Sequence, residues 1–248
     1  MNIIKYNASG NDFVIFHTFK KADRSALARR LCDRTAGIGA DGLVVLVPHE
    51  SCDFEWEFYN SDGSLASMCG NASRAVAHYA YNQGISGNQV KFMSGAGEIH
   101  GDVEGDIVES QLTAPKILHE DLQEHGLTWF MADTGVPHLV TIVDDLELFS
   151  IEIARELRYK YNANVNYAKV QDGVLYVRTY ERGVEDETLA CGTGIAASFL
   201  YSNRSKLVND ICKVYPKSGE ELQMRTVDGI LYFKGEVSKV FATNVDIK

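Results

Sequence analysis

The chain has 248 residues, 45% apolar and 23% charged, with 34 acidic against 24 basic side chains and a formal net charge of −10. That length suits one large domain or two ordinary ones. The acidic balance argues against a partner held by neutralising phosphates, which calls for a basic stripe, so no nucleic acid is expected. The apolar runs are short: "GLVVLVP" stops at Pro48, and "GIAASFLY" falls far below the roughly 20 residues of a membrane span. "MNIIKYNASGNDF" carries no signal-peptide pattern, so the default expectation is a cytoplasmic protein with no membrane partner.

In chain order, "NDFVIFHTF" reads as a strand and "RSALARRLCDR" as a helix with Leu27, Ala28 and Leu31 on one face. The glycine-rich loop "TAGIGADG" leads to the strands "LVVLV" and "DFEWEFYN", and then to the turn "NSDGS". A helix is predicted from Cys69 through about Asn82, stopping near Gly84, followed by strands at "VKFMS", "GEIHGDVEG" and "IVESQLT".

The order then repeats. "HLVTIV" is a strand, and "SIEIARELRYKY" a helix with Ile151, Ala154, Leu157 and Tyr161 at helical spacing. The loop "NANVN" precedes the strands "YAKVQ" and "VLYVRTYE", and a second helix opens at Cys191 and runs through about Ser202. Strands at "KVYP", "LQMRTV", "GILYFKG" and "VSKVFAT" close the copy. From Gly10 to Cys69 is 59 residues and from Gly135 to Cys191 is 56; each cysteine is followed by glycine at +1, alanine at +6 and tyrosine at +10. The expected fold is therefore α+β: two pseudo-symmetric lobes, each a curved, mainly antiparallel sheet wrapped around a central helix. The lobes are expected at 1–114, carrying Cys69, and 115–248, carrying Cys191, with the last strand able to pack back on the first lobe.

Five cysteines without a CxxC pair or a secretory signal do not form a disulfide framework. Cys32, Cys52 and Cys212 read as small core or incidental residues. Cys69 and Cys191 differ because each stands where a helix is predicted to begin, in "MCGNASR" and "ACGTGIA". A helix N-terminus favours the thiolate through its free N–H groups and positive dipole end. Gly70 and Gly192 let an anion approach those N–H groups, and Asn71 and Thr193 add side-chain hydrogen bonds.

Two such units facing one another would hold a carboxylate with a sulfur on either side of the adjacent carbon. That suits a racemase or epimerase in which one thiolate removes the α-proton and the opposite thiol returns one, with neither metal nor cofactor. Positioned proton transfer is worth ~10²–10⁴-fold, and each donor to the developing charge ~10²–10³-fold.

At these residues the chain resembles diaminopimelate epimerase. The resemblance runs through "GNDF" at 10–13, "DG" at 41–42, "YNSDGS" at 59–64, "CGN" at 69–71, "GVPH" at 135–138, "NVN" at 164–166, "YERG" at 180–183 and "ETLACGTG" at 187–194. It implies inversion of LL-2,6-diaminopimelate to the meso form for lysine and peptidoglycan synthesis, without pyridoxal phosphate, by a homodimer using Cys69 and Cys191 as bases. It further implies Asn11, Asn60, Asn164, Glu181 and Arg182 as substrate contacts, with Gly70, Asn71, Gly192 and Thr193 on the reacting carboxylate. Arg182 would grip the distal carboxylate in bidentate fashion, and Glu181 would balance a substrate ammonium. His138, together with Glu181, matches positions that tune the cysteines.

Three departures stand out. Val136 replaces an asparagine found in many relatives, "VED" at 184–186 lengthens the link after "ERG" by one residue, and Gly42 stands where some members carry glutamine, so that Asp41 and Gly42 read as loop structure. The rival readings are a proline or hydroxyproline racemase, a metal or redox module using Cys69, Cys191 and His138, and a non-catalytic binding protein on the same fold.

Overall fold

The structure, a computed structural model, describes residues 1–246 and divides into two compact units: residues 1–111 with the chain from Lys234 onward, and residues 112–233.

In the first unit, β1 (Asn2–Ala8) pairs antiparallel with β2 (Asn11–His17). After α1 (Ser25–Cys32), β3 (Gly42–Val47) pairs parallel with β2 and antiparallel with β4 (Phe54–Asn60). After α2 (Gly70–Asn82), β5 (Gln89–Ser94) pairs parallel with β4, and β6 (Gly97–Glu104) and β7 (Ile107–Gln111) continue antiparallel.

All six residues of β3 are buried because both faces are covered. Leu43, Val45 and Val47 pack with Ala28, Leu31 and Cys32 of α1. Val44 and Leu46 belong instead to the cluster around α2, with Ala72, Ala75, Val76 and Ala77. Gly42 opens β3 rather than lying in a loop, and no larger residue fits: an added Cβ would lie 2.7 Å from the Phe58 ring and 2.9 Å from the Tyr59 carbonyl.

The second unit begins with a hairpin, β8 (Lys116–Glu124) and β9 (Leu127–Asp133), followed by β10 (Pro137–Ile142). After α3 (Ile151–Tyr161), β11 (Asn164–Gln171) pairs parallel with β10 and antiparallel with β12 (Val174–Glu181). The short β13 (Asp186–Thr188) and α4 (Gly192–Arg204) follow, then β14 (Ile211–Pro216), parallel to β12, with β15 (Leu222–Val227) and β16 (Ile230–Glu236), whose last residues, from Lys234, belong to the first unit. The closing strand, β17 (Ser238–Asn244), belongs to the first unit, where it pairs with β1.

Each of the helices α1 to α4 is thus a crossover between two parallel strands, because only a long connection can return a strand in the same direction, while the hairpin pairs β1–β2, β3–β4, β5–β6, β8–β9 and β11–β12 are antiparallel. Ser150 caps α3 by accepting the Ile153 N–H at 3.3 Å, and Asn162 ends it in the left-handed conformation, φ 51°. Alternation along the strands sorts the second core. Leu139, Val165, Tyr167 and Tyr180 pack with Ala154 and Leu157 of α3. His138, Asn164, Asn166 and Thr179, of opposite parity, take the face covered by α4.

One further expectation needs correction, and strands lie in three places where the sequence pattern predicts none. Residues 2–8 form a strand tied between β2 and β17. Residues 116–133 form a hairpin whose first strand is almost wholly exposed and so shows no apolar alternation. The loop expected at 162–166 gives way to β11 at Asn164. Within the "VED…" link, residues 186–188 pair as a strand.

Candidate active site

In the first unit, Cys69 is the extended residue that caps α2, with φ −155° and ψ 121°. The first bond of the helix runs from the Ser73 N–H to the Cys69 carbonyl at 2.9 Å, so the N–H groups of Gly70, Asn71 and Ala72 lie outside the helix's own hydrogen bonding. Asn71 is 1% exposed. Its side chain is committed at both ends: Oδ1 accepts from Arg74 Nη2 at 2.8 Å, and Nδ2 donates to Asn11 Oδ1 at 2.7 Å. Asn11 Nδ2 in turn donates to Asp41 Oδ2 at 3.0 Å.

Arg74 is fully buried and also donates to Ser9 Oγ at 2.6 Å and the Glu236 carbonyl at 3.3 Å. Asp41 accepts from Arg34, which also grips Asp12 with both terminal nitrogens. Burial pushes the Asp12 carboxyl up, but Arg34 and Lys5 outweigh it and hold Asp12 below the usual carboxylate range. Asn60 ends β4 on an exposed turn, where Nδ2 donates to Ser64 Oγ at 3.0 Å and its backbone N–H to the Ser64 carbonyl at 2.8 Å.

In the second unit, Cys191 caps α4 with φ −124° and ψ 108° and is 8% exposed. The Ile195 N–H bonds to the Cys191 carbonyl at 2.9 Å, which leaves the N–H groups of Gly192, Thr193 and Gly194 outside the ladder, as at α2. Here the sulfur of the N-cap residue meets a chain of side chains. Cys191 Sγ is 3.5 Å from Thr193 Oγ1, which is 2.8 Å from His138 Nε2; His138 Nδ1 is 3.0 Å from Asn166 Nδ2. Asn166 Nδ2 also donates to the Leu139 carbonyl at 2.8 Å, and Thr179 Oγ1 donates to Asn166 Oδ1 at 2.8 Å. A second donor, Thr134 Oγ1, reaches the Thr193 carbonyl at 2.8 Å.

Complete burial, helped by the nearby Arg182 charge, lowers the His138 pKa to about 3. His138 is therefore neutral at physiological pH. Asn164 Oδ1 accepts the Arg182 backbone N–H at 2.7 Å, and Arg182 Nη1 donates to the carbonyl of Asn162, the left-handed residue that ends α3, at 2.9 Å. The one-residue-longer link is pinned. Glu185 (φ 60°) accepts the Gly183 N–H at 3.0 Å and pairs with Arg158 of α3 at 2.6 Å, while its own N–H bonds to the Glu181 carbonyl at 2.8 Å. Val136 offers an apolar side chain, its carbonyl accepting the Thr134 N–H at 3.3 Å.

The diaminopimelate epimerase family model matches residues 3–117 and 130–240. The chain belongs to the diaminopimelate epimerase family. Diaminopimelate epimerases of Nitratiruptor sp. and Helicobacter pylori are 60% and 43% identical to it, over 98% of both chains and over 96% of this chain with 93% of the relative, respectively. Among solved structures, a probable proline racemase from Agrobacterium radiobacter superposes with a TM-score of 0.78 at 14% identity, covering 100% of this chain and 93% of the other. A phenazine biosynthesis PhzF-family protein from Enterococcus faecalis gives 0.77 at 14%, covering 99% of each. At that identity the likeness establishes a shared fold.

On this family fold, the first unit joins Asn11 and Asn71 beside Gly70 and Cys69, and the second joins His138, Asn164, Arg182, Thr193 and Cys191. Arg74, Asn166 and Thr179 join these residues without a predicted role, and Asp41, expected as loop, lies in the bend before β3 and accepts from Asn11 and Arg34. The signals were present: a lone arginine inside the apolar run "RAVAHYA", and the step of two from Asn164 to Asn166, which puts both on one face of a strand.

Proposed function

We propose that this chain is a cofactor-independent epimerase that inverts one α-carbon of LL-2,6-diaminopimelate to give meso-diaminopimelate, with Cys69 and Cys191 as the two bases. The observation that carries this reading is the repeated helix mouth: a cysteine at the N-cap, glycine next, and three backbone N–H groups outside the helical ladder in each unit. One cysteine, as thiolate, takes the α-proton as the Cα–H bond breaks. The N–H groups stabilise the negative charge spread onto the adjacent carboxylate. The other cysteine, as thiol, delivers its proton to the opposite face, leaving the two sulfurs with exchanged protonation states. Asn11, Asn60, Asn164, Glu181 and Arg182 hold the two ends of the substrate, Arg182 at the distal carboxylate.

The catalytic unit in this reading is a cytoplasmic homodimer acting on a small molecule. Support for the dimer comes from the family resemblance, and sedimentation at micromolar concentration tests it. The activity is tested by incubation with LL-diaminopimelate and chiral chromatography. Accumulation of the meso isomer to equilibrium, with L-proline left unracemised, supports the reading; turnover of proline and none of diaminopimelate would replace it.

A further inference from the structure

Beneath the mouth of α4 lies a buried polar cluster that the two-base reading does not itself require. His138, Asn166 and Thr179 come from three adjacent strands and are 0%, 0% and 3% exposed. Asn166 and Thr179 are direct cross-strand partners, and Asn166, two residues along β11 from Asn164, the register partner of His138, reaches the ring with its side chain. The helix is built to sit on them: a Cβ at Gly194 would come within 2.3 Å of Asn166 Oδ1, 3.1 Å of Thr179 Oγ1 and 3.3 Å of His138 Cε1.

A neutral imidazole has one donor and one acceptor nitrogen, and here both face an amide NH₂. Asn166 Nδ2 is 3.0 Å from Nδ1, and Asn164 Nδ2 is 3.3 Å from Nε2. Neither amide can turn round. Asn166 is held by the Leu139 carbonyl on one side and the Thr179 hydroxyl on the other, and Asn164 by the Arg182 N–H on its oxygen. The shorter contact therefore decides, and Asn164 Nδ2 turns to the Pro137 carbonyl at 3.4 Å. With Nδ1 accepting from Asn166, Nε2 carries the proton and donates to Thr193 Oγ1. The Thr193 hydroxyl hydrogen is then left for Cys191 Sγ.

We propose that Asn166 is a positioning residue for the reaction: it fixes His138 as the Nε2–H tautomer, so that the chain His138 to Thr193 to Cys191 donates towards the sulfur and stabilises its thiolate. The Leu139 carbonyl fixes the direction of the Asn166 amide, and Thr179 acts one step further back by anchoring the amide oxygen. The charged and titratable groups facing the ring are Arg182, at the turn after β12, and Cys191, through Thr193 on α4. β9 faces it with Ala132 and β11 with the two asparagine amides. The proposal rests on the two-cysteine reading for its catalytic consequence, but not for its geometry.

The test combines ¹⁵N NMR of the histidine ring, assigned with His138→Asn, and the pH dependence of Cys191 alkylation by iodoacetamide, followed by mass spectrometry alongside Cys69. Expected are an Nε2–H tautomer at His138 in the intact protein and, in Asn166→Ala, slower Cys191 alkylation at pH 7 with its midpoint moved to higher pH. Cys69 alkylation should not change, and kcat should fall between about 10- and 100-fold with KM little altered. Thr179→Val should move the same readouts in the same direction by less, and it serves where Asn166→Ala does not fold. An Nδ1–H tautomer in the intact protein, or an unshifted Cys191 profile in a folded variant, overturns the proposal. Tautomer and alkylation are read without turnover, so failure to epimerise diaminopimelate would count against the function proposed above and leave this inference to its own result.

Discussion

The mouths of α2 and α4 share a backbone and differ in what stands behind it. Behind Cys69, a buried permanent cation, Arg74, sits in the second turn of the helix and is wired through Asn71 and Asn11 to Asp41. Behind Cys191 there is a neutral imidazole, wired through Thr193 to the sulfur itself. Duplication explains the common geometry, because the helix N-terminus is the part both cysteines need. The divergence teaches that one helix mouth can be backed by a fixed charge and its twin by an oriented chain of neutral hydrogen bonds. The two routes respond differently to mutation: removing a partner of Arg74 strands a buried charge, whereas removing a partner of His138 reorients a neutral ring.

The largest effect should follow from removing either sulfur. Cys69→Ala and Cys191→Ala should each lower kcat for epimerisation by at least ~10²–10⁴-fold, and a substantial residual rate in either variant would leave the comparison with only one catalytic mouth. Next, His138→Asn should reduce kcat by about 10-fold or more and shift the acid limb of the pH–rate profile to higher pH. An unshifted limb would remove His138 from the second mouth. Asn71→Ala should cost about 1.5–3 kcal/mol in urea unfolding, the value of a hydrogen bond to a buried charge. The corresponding neutral contact in the second unit, broken by Thr193→Val, should cost about 0.5–1.5 kcal/mol. Equal costs would erase the distinction between charge and chain.

Burial sets a pH signature as well. The folded state holds His138 neutral down to about 3, whereas the unfolded chain takes up its proton near 6.5. This contribution is therefore full above pH 6.5 and is lost progressively as pH falls towards 3. Urea midpoints should decline between pH 7 and 5 in the intact protein and decline less in His138→Asn. Smallest of all, Glu185→Gln should loosen the turn that carries Arg182, raising KM for diaminopimelate by about two- to five-fold with kcat unchanged, because a partly exposed ion pair contributes little.

Much of this was legible in the residues. The two central helices announce themselves by cysteine–glycine at the start and small apolar residues within, and α3 by its spacing of Ile151, Ala154 and Leu157. The strands β1 and β8 were not, because their pairing comes from distant chain: β17 returns to β1 from the far end of the sequence, and β8 is a mostly exposed strand without alternation. The same division holds at the site. Residues beside the cysteines stand out by local pattern. Asn166, Thr179 and Arg74 gain their meaning only from cross-strand register and burial, which "NVN", "RTYE" and "NASR" do not disclose by themselves.

The central claim is that two different sulfurs handle the proton on the two faces of one carbon. Epimerisation of LL-diaminopimelate in deuterium oxide, stopped in the first few per cent of reaction and read by NMR at Cα, tests it most directly. The account predicts a meso product carrying deuterium at the inverted carbon while unreacted LL substrate retains protium. Early meso product that keeps the original proton would mean that a single base carries it across, and would contradict the two-cysteine mechanism.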